Sequence, residues 1–177
     1  MHQKQNKNVM MDIANSSNKN VLILKAKLKK NGFIEMVLSG KCMEPFLYAG
    51  DKSKIIKFDS CFIGDICLIC LNDGSLALHR IIDIDNNDFI TKGDFSGKAE
   101  HVAKENIIGK AIAFCLNDSQ NWVSYDNVKY EATKVAKYSR MISPEFNNSK
   151  ESRDEYRKKI WDMNAEFRNR FDKNEEK

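Results

Sequence analysis

The sequence lacks a long apolar run. Its longest apolar stretch, residues 66–71, has the length of one β-strand, whereas a membrane-spanning helix needs about 18 or more apolar residues. The N-terminal residues 1–8 are polar, and the apolar segment of a secretory signal does not follow them. We therefore expect a protein without a transmembrane segment or a membrane anchor.

Cysteine is present but irregularly placed. Five cysteines, an odd number without regular spacing, do not predict a disulfide framework, and this favours a reducing, cytoplasmic location. Cys67 and Cys70 form a Cys-x-x-Cys pair, yet positions three apart on a strand face opposite sides. No second pair completes a four-ligand zinc site. We expect both residues, with Cys61 and Cys115, to lie in the core, and we predict neither a metal nor a cofactor.

A strong charge of one sign is also absent. With 29 basic and 25 acidic residues the net charge is +4, which is too mild to predict nucleic-acid binding. Apolar residues make up 42% and charged residues 31% of the chain, the usual balance of a soluble globular protein. The 177 residues allow one domain with a core and an appendage, and no internal repeat is visible.

The composition predicts three parts: a flexible asparagine-rich arm, a main domain and a helical extension, over residues 1–17, 18–118 and 119–177. The domain would begin with a helix over 18–31, because Val21, Leu24 and Leu28 recur at helical spacing and Gly32 follows as a stop. A strand is the alternative, since apolar residues there also alternate with lysines.

The middle of the chain has the pattern of short strands separated by Gly, Asp and Asn turns. The predicted strands are 33–38 (buried on both faces), 53–58, 66–71, 76–83, 88–92 and 109–116, with 102–107 as a polar connection. This spacing is typical of a mainly β fold, a coiled antiparallel β-sheet or partial barrel, here with an N-terminal helix and a C-terminal helical extension.

The C-terminal part predicts two helices. The first covers 125–141 and ends before Pro144, and the second begins at a Ser152–Glu155 capping box. An apolar stripe then runs along the second helix from Tyr156 to Phe171. The stripe either packs on its own domain or binds a partner protein.

The most informative stretch reads Gly40-x-Cys42-Met43-x-Pro45, followed by an apolar segment and Gly50-Asp51. A thiol beside a glycine, just past the end of a strand, can act as a nucleophile with backbone N–H groups around it. The alternative is a small buried cysteine without a chemical role.

The order of motifs resembles the catalytic domain of type I signal peptidases and of LexA-type self-cleaving repressors. That family has Gly-x-Ser-Met-x-Pro, two Gly-Asp pairs, a base and a later Lys-Gly-Asp. The matching segments here are Gly40–Pro45, Gly50-Asp51, Gly64-Asp65, Leu78–Ile82, Thr91–Asp94 and Ile108–Lys110. The resemblance covers roughly residues 33–114 and implies the fold of that family.

The base distinguishes two branches of the family. The common bacterial enzymes and the repressors use lysine, whereas the endoplasmic-reticulum type and its archaeal and sporulation relatives use histidine in a His-Arg-Ile motif. His79-Arg80-Ile81 is similar to the histidine branch, and the resemblance makes Asp94 the residue that orients His79. Lys41 and Lys92 do not align with the family's lysine.

The resemblance implies a soluble endopeptidase that cleaves a leader or signal-like peptide through an acyl-enzyme. Cys42, where the family has serine, would give its proton to His79 and rest partly as thiolate. We expect Ser39, Gly40 and Arg80 to support the oxyanion and the site, and an extended peptide to bind a groove formed by Met43, Pro45, Phe46 and Leu47.

Two other functions are weighed against this hypothesis. A catalytically inactive module could hold a peptide or a partner in the same groove. A self-cleaving repressor is disfavoured, because about 32 residues before the sheet are too few for a helix-turn-helix domain and a cleavable linker. His101 is expected at the surface, and Asp51 and Asp65 are expected to be turn residues.

Overall fold

A computed structural model of the protein describes residues 19–86, 88–117, 119–146 and 151–172. Helix α1 covers residues 19–31, as the spacing of Leu24 and Leu28 predicted. It ends at Gly32, which has a φ of +78° and donates its N–H to the Leu28 carbonyl at 2.9 Å. Glycine adopts this left-handed conformation without steric cost, so it reverses the chain into the first strand. The predicted arm, 1–17, lies outside the described residues.

Within the described residues, the centre of the protein is an antiparallel sheet of eight strands that does not close into a barrel. Seven follow one another in the order β1-β2-β7-β3-β4-β5-β6, and β8 pairs with β7. The strands are β1 (Phe33–Val37), β2 (Lys52–Lys57), β3 (Ile66–Cys70), β4 (Leu76–Asp85), β5 (Asp88–Lys92), β6 (Glu100–Ala103), β7 (Ile107–Cys115) and β8 (Val123–Ser124). The predicted mainly β class with helices at both ends is therefore confirmed.

Two predictions about individual strands are wrong. β1 was expected to be buried on both faces, but it lies at one end of the sheet and its residues alternate between exposed and half-buried. Residues 102–107 were expected to be a polar connection, but β6 occupies part of this segment and a 3₁₀ turn, Lys104–Asn106, follows it. β6 is a polar edge strand of only four residues, so its alternation of apolar and polar residues is too short to recognise in the sequence.

The sheet curves strongly. Register shifts interrupt the pairing of β7 with β2 and with β3, and a third lies between β4 and β5. Such bulges bend a sheet and increase its twist. As a result, residues of β1 and β4 line the same cleft although three strands separate them in the sheet.

The two C-terminal helices pack against this sheet. Helix α2 (Lys129–Ile142) follows a 3₁₀ turn, Tyr125–Val128, and helix α3 covers Arg153–Asp172. The predicted capping box is present before α3, since Ser152 and Glu155 exchange backbone–side-chain hydrogen bonds of 2.6 and 3.3 Å.

The apolar stripe of α3 is buried in the protein's own core. Tyr156, Ile160 and Phe167 belong to the same hydrophobic cluster as Leu68 of β3 and Phe114 of β7. One core therefore joins the sheet to the helical extension, and any partner of α3 would have to use another face. No helix within the described residues is long and apolar enough to cross a membrane.

Candidate active site

The Cys42 loop, residues 38–51, connects β1 to β2. Its two ends are joined by hydrogen bonds from Leu38 N to Asp51 O (2.8 Å) and from Gly50 N to Leu38 O (2.9 Å). Between them a helical turn, closed by Leu47 N to Met43 O at 3.0 Å, presents Cys42 at its start. Met43 and Leu47 point into the core, and this burial fixes the turn while Cys42 stays half-buried.

The Cys42 thiol is protonated in this environment. Its sulfur donates to the Leu78 carbonyl, with a distance of 3.6 Å. Burial raises the pKa of the thiol, the charges of Asp94 and Glu100 raise it further, and the backbone N–H groups of Cys42 and Met43 oppose the rise. The raised pKa favours the neutral thiol over a partial thiolate, so the proton must leave the sulfur during the reaction.

His79 lies on β4 with only 5% of its surface exposed. Its strand is covered on both faces, so consecutive residues 78–82 are all buried. Across the ladder His79 pairs with Cys67 of β3. Burial lowers the pKa of His79, and the negative charge of Glu100 only partly offsets this effect. The imidazole is therefore neutral at pH 7, the form that accepts a proton.

The carboxylate beside the His79 ring belongs to Glu100, a residue that the sequence reasoning missed. The Nδ1 atom of His79 lies 2.9 Å from Oε2 of Glu100. Neither atom has a well-aligned hydrogen bond among the described residues, so the pair is a close polar contact between a neutral imidazole and a carboxylate. It becomes an ion pair when His79 takes up a proton. Glu100 reaches this position because β6 pairs with β5, with Glu100 opposite Thr91. The unrecognised β6 explains why the sequence did not indicate it.

Asp94 makes its hydrogen bonds to other groups. Its two oxygens accept from Nε and Nη2 of Arg80 at 2.8 and 2.6 Å, and Nδ2 of Asn164 adds a third bond of 3.0 Å. Arg80 also donates to the Gly64 carbonyl at 3.1 Å. Asp94 acts on His79 through its charge, which favours the protonated imidazole. Its predicted role as the residue that orients His79 stays a prediction.

One cleft of about 360 Å³ contains most of the predicted site residues. Cys42, His79 and Glu100 line it together. Its wall also includes the predicted supporting residues Ser39 and Gly40, the predicted groove residues Met43 and Leu47, and residues 36–38 beside β1. The structure thus brings the thiol and the imidazole to one opening.

Two of the predicted groove residues lie elsewhere. Phe46 is in the core, with its ring centroid 5.2 Å from that of Phe114 and 5.5 Å from the Arg80 guanidinium. Pro45 lines a different cavity of about 430 Å³, shared with Phe95 and with Trp161 of α3. Residues of the Cys42 loop thus line both the cleft at Cys42 and this second cavity.

Comparison with known proteins does not assign the chain. No family model matches it, and no curated protein matches it. The case for a function therefore depends on the order of the motifs and on the geometry of the cleft.

Three other polar residues named in the sequence analysis have structural partners: Lys92, His101 and Asp51. Lys92 is fully buried and donates to the Gly93 carbonyl at 3.1 Å and to Ser139 Oγ at 2.9 Å, and burial lowers its pKa to about 8. His101 is at the surface as predicted, with Nε2 3.7 Å from Glu145. Asp51 is fully buried, so its role goes beyond the turn position that the sequence predicted.

The other cysteines lie in the core, as predicted. Cys67 and Cys70 belong to different hydrophobic clusters, which agrees with the expectation that they face opposite sides of the strand. The sulfur of Cys67 lies instead 3.0 Å from that of Cys61. Within the described parts of the chain, no group of three or more histidine, cysteine or acidic residues could hold a metal ion.

Proposed function

We propose that the protein is a signal-peptidase-like endopeptidase in which Cys42 is the nucleophile and His79 the base. The observation that carries this proposal is the common cleft, which both Cys42 and His79 line and in which Nδ1 of His79 lies 2.9 Å from Glu100. Because Nδ1 faces Glu100, the ring nitrogen left for the thiol is Nε2. The motif order that resembles the signal peptidases supports the same assignment.

The reaction begins from a neutral pair. As the sulfur attacks the peptide carbonyl, the thiol proton moves to Nε2 of His79, and Glu100 stabilises the imidazolium that forms. The N–H of Cys42 and the Ser39 hydroxyl are the candidate donors to the oxyanion. Collapse expels the amine, which takes the proton from His79, and leaves a thioester on Cys42. Water or a second amine then releases the acyl group.

An extended peptide would bind beside β1. This strand lies at one end of the sheet, and residues 36–38 line the cleft next to Cys42. An added strand would form main-chain hydrogen bonds with β1 and bring its own carbonyl to the thiol. We propose a leader or signal-like segment as the substrate class, which the resemblance alone implies, and the cytoplasm as the location, which the irregular cysteines favour.

A binding module without catalysis is the second candidate. The sulfur of Cys42 donates to the Leu78 carbonyl, and the thiol is protonated at neutral pH. An inert thiol of this kind suits a cleft that holds a peptide without cutting it.

The test is cleavage of a peptide library made by digesting a whole proteome, with new N-termini read by mass spectrometry. We expect the wild-type protein to cut, Cys42→Ala and His79→Ala to lose at least about a thousandfold in rate, and the matched thiol control Cys70→Ala to keep its activity. Cleavage that persists in both active-site variants contradicts the proposal. Peptides that are retained but never cut indicate the binding module.

A further inference from the structure

Helix α3 places two polar side chains against segments that lie next to the active site. Asn164 and Arg168 are four residues apart, so they lie on one face of the helix, one turn from each other. Each contacts a buried carboxylate: Asn164 bonds to Asp94 and Arg168 to Asp51. Both carboxylates belong to segments that hold Cys42 in place.

The Asn164 contact supports the segment behind Cys42. Asp94 lies between Gly93, where a Cβ atom would stand only 2.6 Å from the Cys42 carbonyl oxygen, and Phe95, whose N–H donates to that oxygen at 2.9 Å. A displacement of Asp94 therefore also moves Gly93 and Phe95, its two neighbours in the chain, whose backbone lies against the Cys42 carbonyl.

The Arg168 contact supports the end of the Cys42 loop. Its two terminal nitrogens bond to the Asp51 carboxylate at 2.5 and 3.2 Å, in the two-point geometry typical of strong arginine–carboxylate pairs. The same carboxylate accepts the N–H of Tyr48 at 2.8 Å and that of Asn117 at 2.9 Å. Arg168 thus balances the negative charge of Asp51, the carboxylate whose hydrogen bonds hold the end of the loop.

We propose that α3 is part of the active-site framework and that Asn164 and Arg168 are positioning residues for Cys42. Asn164 is fully buried, and its Oδ1 has no hydrogen-bond partner among the described residues. A leucine would avoid that desolvation penalty if the position served packing alone. The asparagine is explained by the hydrogen bond that it gives to Asp94. The catalytic meaning of this proposal rests on the proposed function, whereas the positioning of the thiol does not.

The experiment measures alkylation of Cys42 by iodoacetamide over a range of pH, with the modified residue identified by mass spectrometry. In Asn164→Ala the loosened segment admits water, so we expect Cys42 to react about three to ten times faster near neutral pH and its pH midpoint to move down toward that of a free thiol. Arg168→Lys, which keeps the charge but not the two-point contact, should show a smaller change in the same direction. Asn169→Ala, an exposed asparagine on the same helix, is the matched control and should react as wild type.

A purely structural role has a different signature. If Asn164→Ala lowers the melting temperature but keeps the wild-type alkylation rate and midpoint well below that temperature, the proposal is overturned. Asn164→Ser, which retains a short polar side chain, replaces Asn164→Ala if that variant does not fold, and the same two outcomes decide. Failure to find a cleaved peptide would count against the proposed function but would leave this result unchanged.

Discussion

His79 and Arg80 are adjacent on β4 and face opposite sides of the sheet, and their surroundings differ sharply. Arg80 has a carboxylate at 2.8 and 2.6 Å and a backbone carbonyl at 3.1 Å. His79 has one carboxylate close to Nδ1, and neither partner has a well-aligned hydrogen bond among the described residues. The Arg80 side is framework, whereas the His79 side opens into the cleft. Because His79 and Glu100 line that cleft, they can respond to a bound substrate.

The two carboxylates near β4 should differ most in their effect on stability. Asp94→Asn leaves the Arg80 charge buried without its counter-ion, and we expect a loss of about 3–5 kcal/mol in the free energy of unfolding. Glu100→Gln, on the half-exposed cleft side, should lose less than about 1 kcal/mol. Urea unfolding of both variants measures the difference. Equal losses of unfolding free energy in the two variants would contradict the distinction between the Arg80 side and the His79 side of β4.

Lys92 lies opposite Arg80 in the β4–β5 ladder. Unlike Arg80, it is a buried cation whose hydrogen-bond partners are neutral. Its pKa is lowered from 10.5 to about 8 by burial. Between these values the unfolded chain binds more protons than the folded one, so stability should rise with pH over this window by up to about 3 kcal/mol. Below pH 8 Lys92 is charged in both the folded and the unfolded state, so its contribution to stability no longer changes with pH.

The measurement is the difference in unfolding free energy between wild type and Lys92→Met at several pH values. Subtraction cancels the titration of the buried thiols, which both proteins share. Lys41→Met, at an exposed position, provides the control and should differ from wild type by a constant amount. A flat difference for Lys92→Met as well would show that this lysine is not titrating.

The smallest expected effect is on the titration of His79. Its pKa lies below the ordinary 6.5 because of burial, and the Glu100 charge raises it. Glu100→Gln should therefore move the His79 pKa further down, which is read directly from its ring proton signals in NMR spectra. Glu145→Gln, beside the surface His101, should leave His79 unchanged. An upward shift in Glu100→Gln would exclude the contact between Nδ1 and Oε2.

The local patterns predicted much of the fold because each depends on neighbouring residues. Gly32 ends α1, Gly74 with a φ of +83° turns β3 into β4, and Ser152 begins α3 through its capping box. The strand at 100–103 was missed because a short polar edge strand gains its hydrogen bonds from β5 and not from its own apolar alternation.

The candidate site was predicted in part for the same reason. The motifs predict Cys42 and His79, and the structure places both at one cleft. No motif indicates Glu100 or Asn164, since each acquires its role only by packing against a residue distant in sequence. A motif contains information about spacing along the chain, but it contains none about which strand or helix lies across from it.

Local sequence patterns were sufficient to predict the mainly antiparallel β fold, the helices at its ends and the turn that presents Cys42. Strand alternation, glycine conformation and capping are local properties, so they can be read from short segments. Three features depend on the packing of distant segments: Asp94 bonds to Arg80, Glu100 lies beside His79, and α3 contacts both the end of the Cys42 loop and the segment behind Cys42. Burial and distance decide which charged side chains pair with each other, and both are set when the curved sheet and the helices pack together.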